Sequence, residues 1–388
     1  MVLKRRSCNC PHCKSACIIQ LVMLAAILHR HAGVSSVDKM RFGIIGCGEI
    51  AVRTAEAISR AECATVTATM DVNESLAEDL AKRYGAKYTT DLDELLSWED
   101  VDAVYISTPH HLHAPQTIRS AEAKKHIVVE KPMAINVAEA KEMIEACKRN
   151  NVALSVCFPL RYLPCIRQAK ELISKGVIGR IAGVSIKVLG DKPTSYWTGG
   201  YTGRAKTDWR MHKETAGGGI LIMNAIHNID WIRYITGLEV ERVYAEYGTL
   251  ATEGVEVEDI ACAVLRYANG AVGMIEALSC AAGSYGPAQW SGDRIYGTHG
   301  TIVLTEPLRL YTKLDGFGYP SNQWVEVPRK DTERDERKLF IDDFVRSVLD
   351  GKEPPVSAYD GLVSLAVVEA AYMSLERGSP VDVMSLVE

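Results

Sequence analysis

Lys131 stands in the tripeptide Glu130-Lys131-Pro132, directly after an apolar run that begins at Ile127. A lysine set against apolar wall has its charged form disfavoured, so its pKa falls and it can take or give a proton at a hydroxyl while a hydride moves on carbon. The plainer alternative is a surface lysine paired with Glu130. Its place at a strand's carboxyl end, ahead of a proline that fixes the turn, favours the reactive role. A second candidate is His227, which follows Gly217-Gly218-Gly219 in a run that ends at Asp230. At helical spacing Met223, His227 and Asp230 share a face, so the imidazole is placed to exchange a proton with Asp230 orienting it. Against this stands a satisfied core histidine, and the three glycines favour chemistry because they leave open space near the helix start.

The elements that must position these groups begin at Met40. Met40 to Ile45 reads as an apolar strand that enters the turn Gly46-Cys47-Gly48-Glu49-Ile50-Ala51 and then a helical pattern. Gly46 permits the tight turn and Gly48 lets the backbone approach a pyrophosphate with no Cβ in the way. Ala51 allows close helix-on-strand packing, and the helix N-terminus offers unpaired N–H groups to an anion. Thr65 to Met70 reads as the next strand. It ends in Asp71, about 20 residues past the turn, where an acidic residue binds an adenosine ribose diol. This is a dinucleotide site, and because Asp71 repels a 2′-phosphate, NAD is expected over NADP.

Strands and helices alternate from there to Val156, with helices at Ile50 to Arg60, Glu74 to Tyr84, Asp91 to Leu96, Ala114 to Ala123 and Val137 to Asn150. The intervening strands are Ala103 to Ser107, Ile127 to Glu130 and Val152 to Val156. Such alternation implies a parallel sheet with right-handed crossovers. Ligands then sit beyond the carboxyl ends of the strands, which gathers Ser107, Thr108, Pro109, His110 and His113 with Glu130 and Lys131 around the crevice. After Phe158 the alternation stops and strand-like runs cluster: 180–189, 240–249, 260–267, 271–277, 293–296, 301–304 and 324–328. They imply a largely antiparallel sheet, with helices at Leu221 to Ile235, Asp335 to Leu349 and Tyr359 to Arg377. The fold class is therefore α/β: a parallel sheet over 40–157, then an α+β part over 158–388 with a large open sheet.

Ahead of the His227 helix lies Tyr196-Trp197-Thr198-Gly199-Gly200-Tyr201, with Trp209-Arg210 beyond. Aromatic faces suit the C–H faces of a sugar ring, and an oligomer contact is the competing use. The histidines at 110, 111 and 113 diverge on a turn and have no evident Cys or carboxylate partner, so no metal site is expected.

The 388 residues carry a formal net charge of -5 and no basic block beyond Lys4-Arg5-Arg6, which disfavours nucleic acid. Cys8, Cys10, Cys13 and Cys17 crowd together around His12, whereas the other cysteines are scattered singly, the usage of a reducing cytoplasm. The crowded set lacks the two separated pairs usual in a metal site. Residues 1–39 are expected to be a disordered or non-native extension, with Met40 as the physiological start. The apolar run 16–28 is short for a span and lacks a clean cleavage site; export or anchoring through it is the alternative to a cytoplasmic protein.

Taken together, Gly43-x-x-Gly46-x-Gly48-x-x-Ala51, Thr108-Pro109-x-x-x-His113, Glu130-Lys131-Pro132 and the triple glycine followed by His227-x-x-Asp230 resemble the Gfo/Idh/MocA oxidoreductases. This family includes glucose-fructose oxidoreductase and inositol dehydrogenases. Arg294 to Ile302 and the ending Phe344 to Val381 look similar too, so the resemblance runs from Met40 to about Val383. It implies a Rossmann domain, a C-terminal domain whose open sheet forms a dimer or tetramer contact, and hydride transfer between NAD(P) and a hydroxyl or carbonyl of a sugar, cyclitol or related polyol. By that resemblance Lys131 and His227 are catalytic. The cofactor contacts are Gly46, Cys47, Gly48, Glu49, Ile50, Asp71, Ser107, Thr108, Pro109, His110, His113, Glu130, Lys131 and Arg161. The substrate meets Lys131, Trp209, Arg210, Asn224 and His227.

Two departures stand out. Met223 occupies the place where many dehydrogenases of the family have Asp, and His110 stands where Asn is common. A methionine cannot transfer a proton, so Lys131 and His227 must suffice or the chemistry differs. The alternatives are a redox-neutral NAD-dependent glycosidase and a non-catalytic dinucleotide-binding regulator; a regulator has no need of Lys131 and His227.

Overall fold

Apolar runs in the first half of the chain become strands covered on both faces. In the computed structural model, which describes residues 39–284, 292–329 and 335–388, the first sheet holds β1 (Met40–Ile45), β2 (Ala64–Met70), β3 (Lys87–Thr89), β4 (Ala103–Ile106), β5 (His126–Val129) and β6 (Leu154–Val156). All pairs are parallel, in the order β3-β2-β1-β4-β5-β6. β4 and β6 are buried at every residue, as crossover helices on both faces require. The strand order reverses between β1 and β4, so the glycine turn and the tip of β4 meet at the switch point where ligands bind.

The crossover helices start and stop on local chemistry. Asn73 caps Glu74–Tyr84 through the Ser75 N–H, and Gly85 ends it in the left-handed region at φ 64°. Asn136 caps Val137–Asn150 through the Glu139 N–H, satisfying a donor that no helical carbonyl can reach.

The second sheet has nine described strands: β7 (Ile181–Leu189), β8 (Val240–Gly248), β9 (Ile260–Tyr267), β10 (Val272–Leu278), β11 (Asp293–Gly297), β12 (Gly300–Leu304), β13 (Leu308–Thr312), β14 (Trp324–Val327) and β15 (Val381–Asp382). Their order is β14-β13-β12-β11-β7-β10-β9-β8-β15. Among the described residues β7 and β10 run parallel and the other neighbours antiparallel. Burial alternates along β9 and β10, so one face packs under helices. The other face stays open, with Val264 and Met274 directly opposite each other and more than half exposed.

Residues 40–388 form one compact unit. Both long C-terminal helices reach the parallel sheet's layer: Glu336–Leu349 packs on the helix Glu49–Arg60, and Ala358–Arg377 lies between β8 and the helix Val137–Asn150. The cysteine-rich segment and the apolar run 16–28 lie outside the described residues. No described helix is long and apolar enough to cross a membrane, and the seven described cysteines are unpaired.

Several elements escaped the sequence pattern. The helix Pro164–Ser174 is not among the elements expected from the sequence, although it opens with proline at its first position, a signal for a helix start. β13 is five residues long and follows Pro307, too brief for its alternation to show. The expected helix from Leu221 to Ile235 is a π turn over Leu221–Ala225 followed by the α-helix Ile226–Thr236. Spacing rules for an α-helix therefore do not carry from Met223 to His227.

Arg161, on the turn Pro159–Tyr162 after β6, is 5% exposed, and its guanidinium grips Asp230 at 2.8 and 2.5 Å. Asp360, at the start of Ala358–Arg377, adds a bond to Arg161 at 3.2 Å and pairs with Arg233. This cluster joins three elements, and a buried charge left without its partner is costly. Asp230→Ala is expected to destabilise the protein by about 3–5 kcal/mol, measured as the urea unfolding midpoint. Arg161→Met with Asp230→Leu removes both charges and loses much less; an equal loss would show that packing, not pairing, matters there.

Candidate active site

Gly46 takes φ +86°, and a Cβ there would sit 2.8 Å from Thr108 Cγ2 and 3.0 Å from the Ser107 carbonyl carbon. Only glycine lets the tips of β1 and β4 meet so closely. Ser107 Oγ donates to Gly46 O at 2.8 Å, and Gly46 N–H donates to Met70 O at 2.8 Å. Asp71 accepts the Cys47 N–H at 2.7 Å and the Asn73 N–H at 2.9 Å, so its carboxylate is held at the tip of β2. Burial, with Asp71 nearby, pushes the Cys47 thiol far above its usual range, so Cys47 contributes backbone rather than sulfur chemistry.

These residues fit a dinucleotide. The helix Glu49–Arg60 has no side-chain cap at its N-terminus, and the nearest atom to a Cβ built on Gly48 is Ala205 Cβ at 3.9 Å. Uncapped N–H groups beside bare backbone suit a pyrophosphate. Ile50 lies in the first turn of that helix. Glu49 points elsewhere, accepting the Tyr201 N–H at 2.9 Å. Arg204 donates to Cys47 O at 2.9 Å and to Asp79 at 2.8 Å. Through these contacts a loop of the second half of the chain is tied to the turn.

Lys131 enters from the tip of β5 through a cis Lys131-Pro132 peptide. Its Nζ donates to Met223 O, in the π turn, at 2.7 Å. Beneath it Glu130, 6% exposed, accepts from Arg337 at 3.0 Å, from Tyr105 OH and from the Lys131 N–H at 3.2 Å. Arg337 also donates to Thr54 Oγ1 at 2.9 Å. Burial lowers the Lys131 pKa; Glu130 opposes this while Arg337 and Arg210 add to it. For Glu130, burial pulls upward but Arg337 and Lys131 outweigh it, so the carboxyl stays below its usual value.

His227 Nδ1 is buried with no hydrogen-bond partner among the described residues, and the ring meets Phe158 edge-on at 5.8 Å. Burial first, then Lys131 and Arg337, hold its pKa well below the usual value. A neutral imidazole with an unsatisfied buried nitrogen is what a ligand hydroxyl would complete.

The structure departs from the expected partners at several points. Asp230 does not orient His227: both of its oxygens are taken by Arg161, a buried cation that has the stronger claim on an anion. Arg161, expected among the cofactor contacts, is spent in that cluster. His113 lies between two carbonyls, Nδ1 2.8 Å from Pro132 O and Nε2 2.9 Å from Thr108 O, so it ties the β4 and β5 tips together and leaves no ring nitrogen for a ligand. Glu130 likewise faces Arg337 and Tyr105 rather than open space. The triple glycine is packed, not open: a Cβ on Gly218 would meet Tyr372 OH at 2.1 Å, and one on Gly219 would meet Glu258 O at 1.9 Å. Glu258 instead caps the helix start, accepting the Gly219 N–H at 2.6 Å and the Leu221 N–H at 3.0 Å.

Around the β4 tip and the π turn lie the remaining expected residues. Pro109 leads into the turn His110–Leu112, and Thr108 Oγ1 donates to Gln116 at 2.6 Å. His110 is buried with Nδ1 2.8 Å from Ala216 O and its ring 4.4 Å from Trp209; burial keeps it neutral. Arg210 lies over Trp209 and Tyr196, and Asn224 is half-buried in the π turn. Among the described residues no group of His, Cys, Asp or Glu could hold a metal.

Arg337, Arg204 and Tyr105 went unread as site residues, since their partners are far away in sequence, and Lys192 went unread although Tyr196 and Tyr201 follow it closely. Arg337 alone left a faint sign: it is a cation in the first turn of a helix, where the dipole disfavours it.

The family model for the oxidoreductase family with an NAD-binding Rossmann fold matches residues 40–158, and that for the GFO/IDH/MocA C-terminal domain matches 166–303. Myo-inositol 2-dehydrogenase of Thermotoga maritima is 31% identical over 346 residues, 87% of this chain and 97% of that protein. Levoglucosan dehydrogenase of Pseudarthrobacter phenanthrenivorans is 30% identical over 354 residues, 81% of this chain and 88% of that protein. Among solved structures, the WlbA dehydrogenase from Bordetella pertussis, in complex with NADH and UDP-GlcNAcA, is 29% identical with a TM-score of 0.74, covering 89% of this chain and 98% of its own. The first model spans the glycine turn, the strand tips and Lys131, and the second spans β7 to β11 and the helix that bears His227. The chain belongs to the Gfo/Idh/MocA oxidoreductases.

Proposed function

We propose that Lys131 and His227 are the proton-handling residues of an NAD-dependent dehydrogenase acting on a hydroxyl-bearing carbon of a sugar, cyclitol or related polyol, or on the carbonyl in the reverse direction. The observation that carries this reading is the half-buried Lys131, held by the Met223 carbonyl and backed by the Glu130–Arg337 pair. Gly46, Gly48, Asp71, Thr108, Pro109 and His110 would hold the dinucleotide, which when bound supplies the hydride acceptor or donor.

A neutral Lys131 uses one N–H on Met223 O and keeps a lone pair for the hydroxyl proton. Burial and two nearby cations lower its pKa, so the amine is free of its proton at lower pH than an exposed lysine would be. His227, neutral for the same reasons, satisfies its bare Nδ1 on the same or a neighbouring hydroxyl. Arg337 is a positioning residue: it fixes Glu130 below Lys131 and opposes the ammonium form.

Inositol and levoglucosan appear in the names of two relatives, which favours cyclic polyols and sugars as the substrate class. The redox-neutral reading has one observation in its favour. Glu49 and Arg204 tie the 200–204 loop to the turn, and a loop closed there would slow cofactor exchange. A cytoplasmic site suits the unpaired cysteines. A homodimer or homotetramer through the second sheet suits its open apolar face, Val264 beside Met274.

NADH formation by protein begun at Met40, against sugars, cyclitols and glycosides, tests the assignment. Lys131→Ala should lower turnover by about 100-fold or more with NADH binding retained. Glycoside cleavage without NADH accumulation would establish the redox-neutral cycle instead. In the oxidative direction activity rises with pH as Lys131 loses its proton. In Arg337→Gln that midpoint should move to higher pH, because a cation that opposed the ammonium is gone and Glu130 is released to favour it; an unmoved midpoint refutes the positioning role.

NAD should give a lower KM than NADP, and Asp71→Ser should cut the preference by about tenfold; a lower KM for NADP overturns it. Light scattering should find an oligomer that Met274→Glu dissociates; a wild-type monomer disproves the assembly.

A further inference from the structure

Two cations, Lys192 and Arg210, stand over one aromatic wall of the site, and Lys131 is joined to that wall through Met223. Lys131 Nζ bonds Met223 O at 2.7 Å, and the sulfur of the same methionine accepts Tyr196 OH at 3.7 Å. Lys192 Nζ stands 4.5 Å from the centre of that Tyr196 ring, and the Arg210 guanidinium stands 5.1 Å from it. Lys192 also donates to Tyr201 OH at 2.5 Å, and Arg210 lies 4.4 Å over Trp209.

Glu130 answers Lys131 alone. Among the described residues neither Lys192 nor Arg210 has an acidic group within ion-pair distance. Asp191 and Asp208, their neighbours in sequence, are exposed and turn to the Gly283 N–H and to His212. Arg161, Arg204 and Arg337, the other guanidinium groups near the crevice, each have a carboxylate. The aromatic faces relieve part of the cost of gathering like charges, but mutual repulsion persists: burial, Lys131 and Arg210 together push the Lys192 pKa down to about 8. An anion placed among the three groups would remove that repulsion and gain charge-assisted hydrogen bonds.

We propose that the substrate of this site carries an oxyanion, a carboxylate or a phosphate, on its sugar-like skeleton, bound by Lys192 and Arg210 while the reacting hydroxyl faces Lys131. This rests on the assignment of Lys131 and His227 as the reaction centre. It narrows the substrate class from neutral polyols to acidic ones.

Matched sets test it: glucose, galactose and mannose, each beside the corresponding uronic acid and monophosphate, and inositol beside its monophosphate. Both NADH formation and binding to the NADH-loaded protein by calorimetry are measured. A charged member should exceed its neutral counterpart in kcat/KM and in affinity by about tenfold or more. Lys192→Gln and Arg210→Gln, each checked for native circular dichroism, should collapse that ratio toward one, chiefly through KM and Kd. Preference for the acid over the monophosphate identifies the carboxylate, and the converse the phosphate.

Turnover of the neutral member at equal or greater efficiency overturns the oxyanion while leaving the dehydrogenase standing. Tight binding of the charged member with no NADH formed keeps the oxyanion and overturns hydride transfer. Failure of every charged member to bind at millimolar concentration overturns it as well.

Discussion

A carboxylate buried at the end of a parallel strand needs a cation, and most of the site follows from where that cation comes from. Glu130 lies at the tip of β5 with Arg337 reaching it from the helix Glu336–Leu349, while Tyr105 OH donates to the same carboxylate and Thr54 accepts from the same guanidinium and donates to Tyr105. An unpaired charge at that depth would cost several kcal/mol. The pair therefore fixes the late helix against the early sheet and sets the floor on which Lys131 rests. The same guanidinium also reaches Cys157 Sγ at 3.3 Å, where the chain leaves β6 for the second sheet.

Above that floor the site is assembled from backbone as much as from side chains. Gly46 is pressed against Thr108 and Ser107, so the β1 turn and the β4 tip meet. His113 spans two carbonyls and holds the β4 and β5 tips in register. The π turn brings the Met223 carbonyl to Lys131. A methionine where a carboxylate was anticipated is thus not idle. Its main chain seats the amine, its sulfur seats Tyr196, and its side chain adds no negative charge, which leaves Lys192 and Arg210 beside it without an acidic partner among the described residues.

The misread partners share one cause. Asp230 was matched to His227 because three residues separate them on a helix, but Arg161 is a buried cation from a distant turn, and it takes the carboxylate because charge pairing outweighs a bond to a neutral ring. The three glycines looked like open space because sequence reports the missing Cβ and not what fills its place. Here Tyr372 and Glu258 fill it, from the last long helix and from the loop before β9.

The local grammar of the chain is legible in its residues alone. Apolar runs in alternation with amphipathic helices required a parallel sheet. The Gly46 and Gly48 turn followed by Asp71 required a place for a dinucleotide, and Lys131 at a strand tip required burial beside it. These are statements about neighbours within a few residues or one βαβ unit, where spacing and glycine sterics act directly. Only the tertiary structure decided the pairings among charges: Arg337 with Glu130, Arg161 with Asp230, Arg204 with the turn, and Lys192 with no acidic partner among the described residues. Each depends on segments separated by tens to hundreds of residues, and electrostatics selects among them only after packing has placed them within a few ångströms.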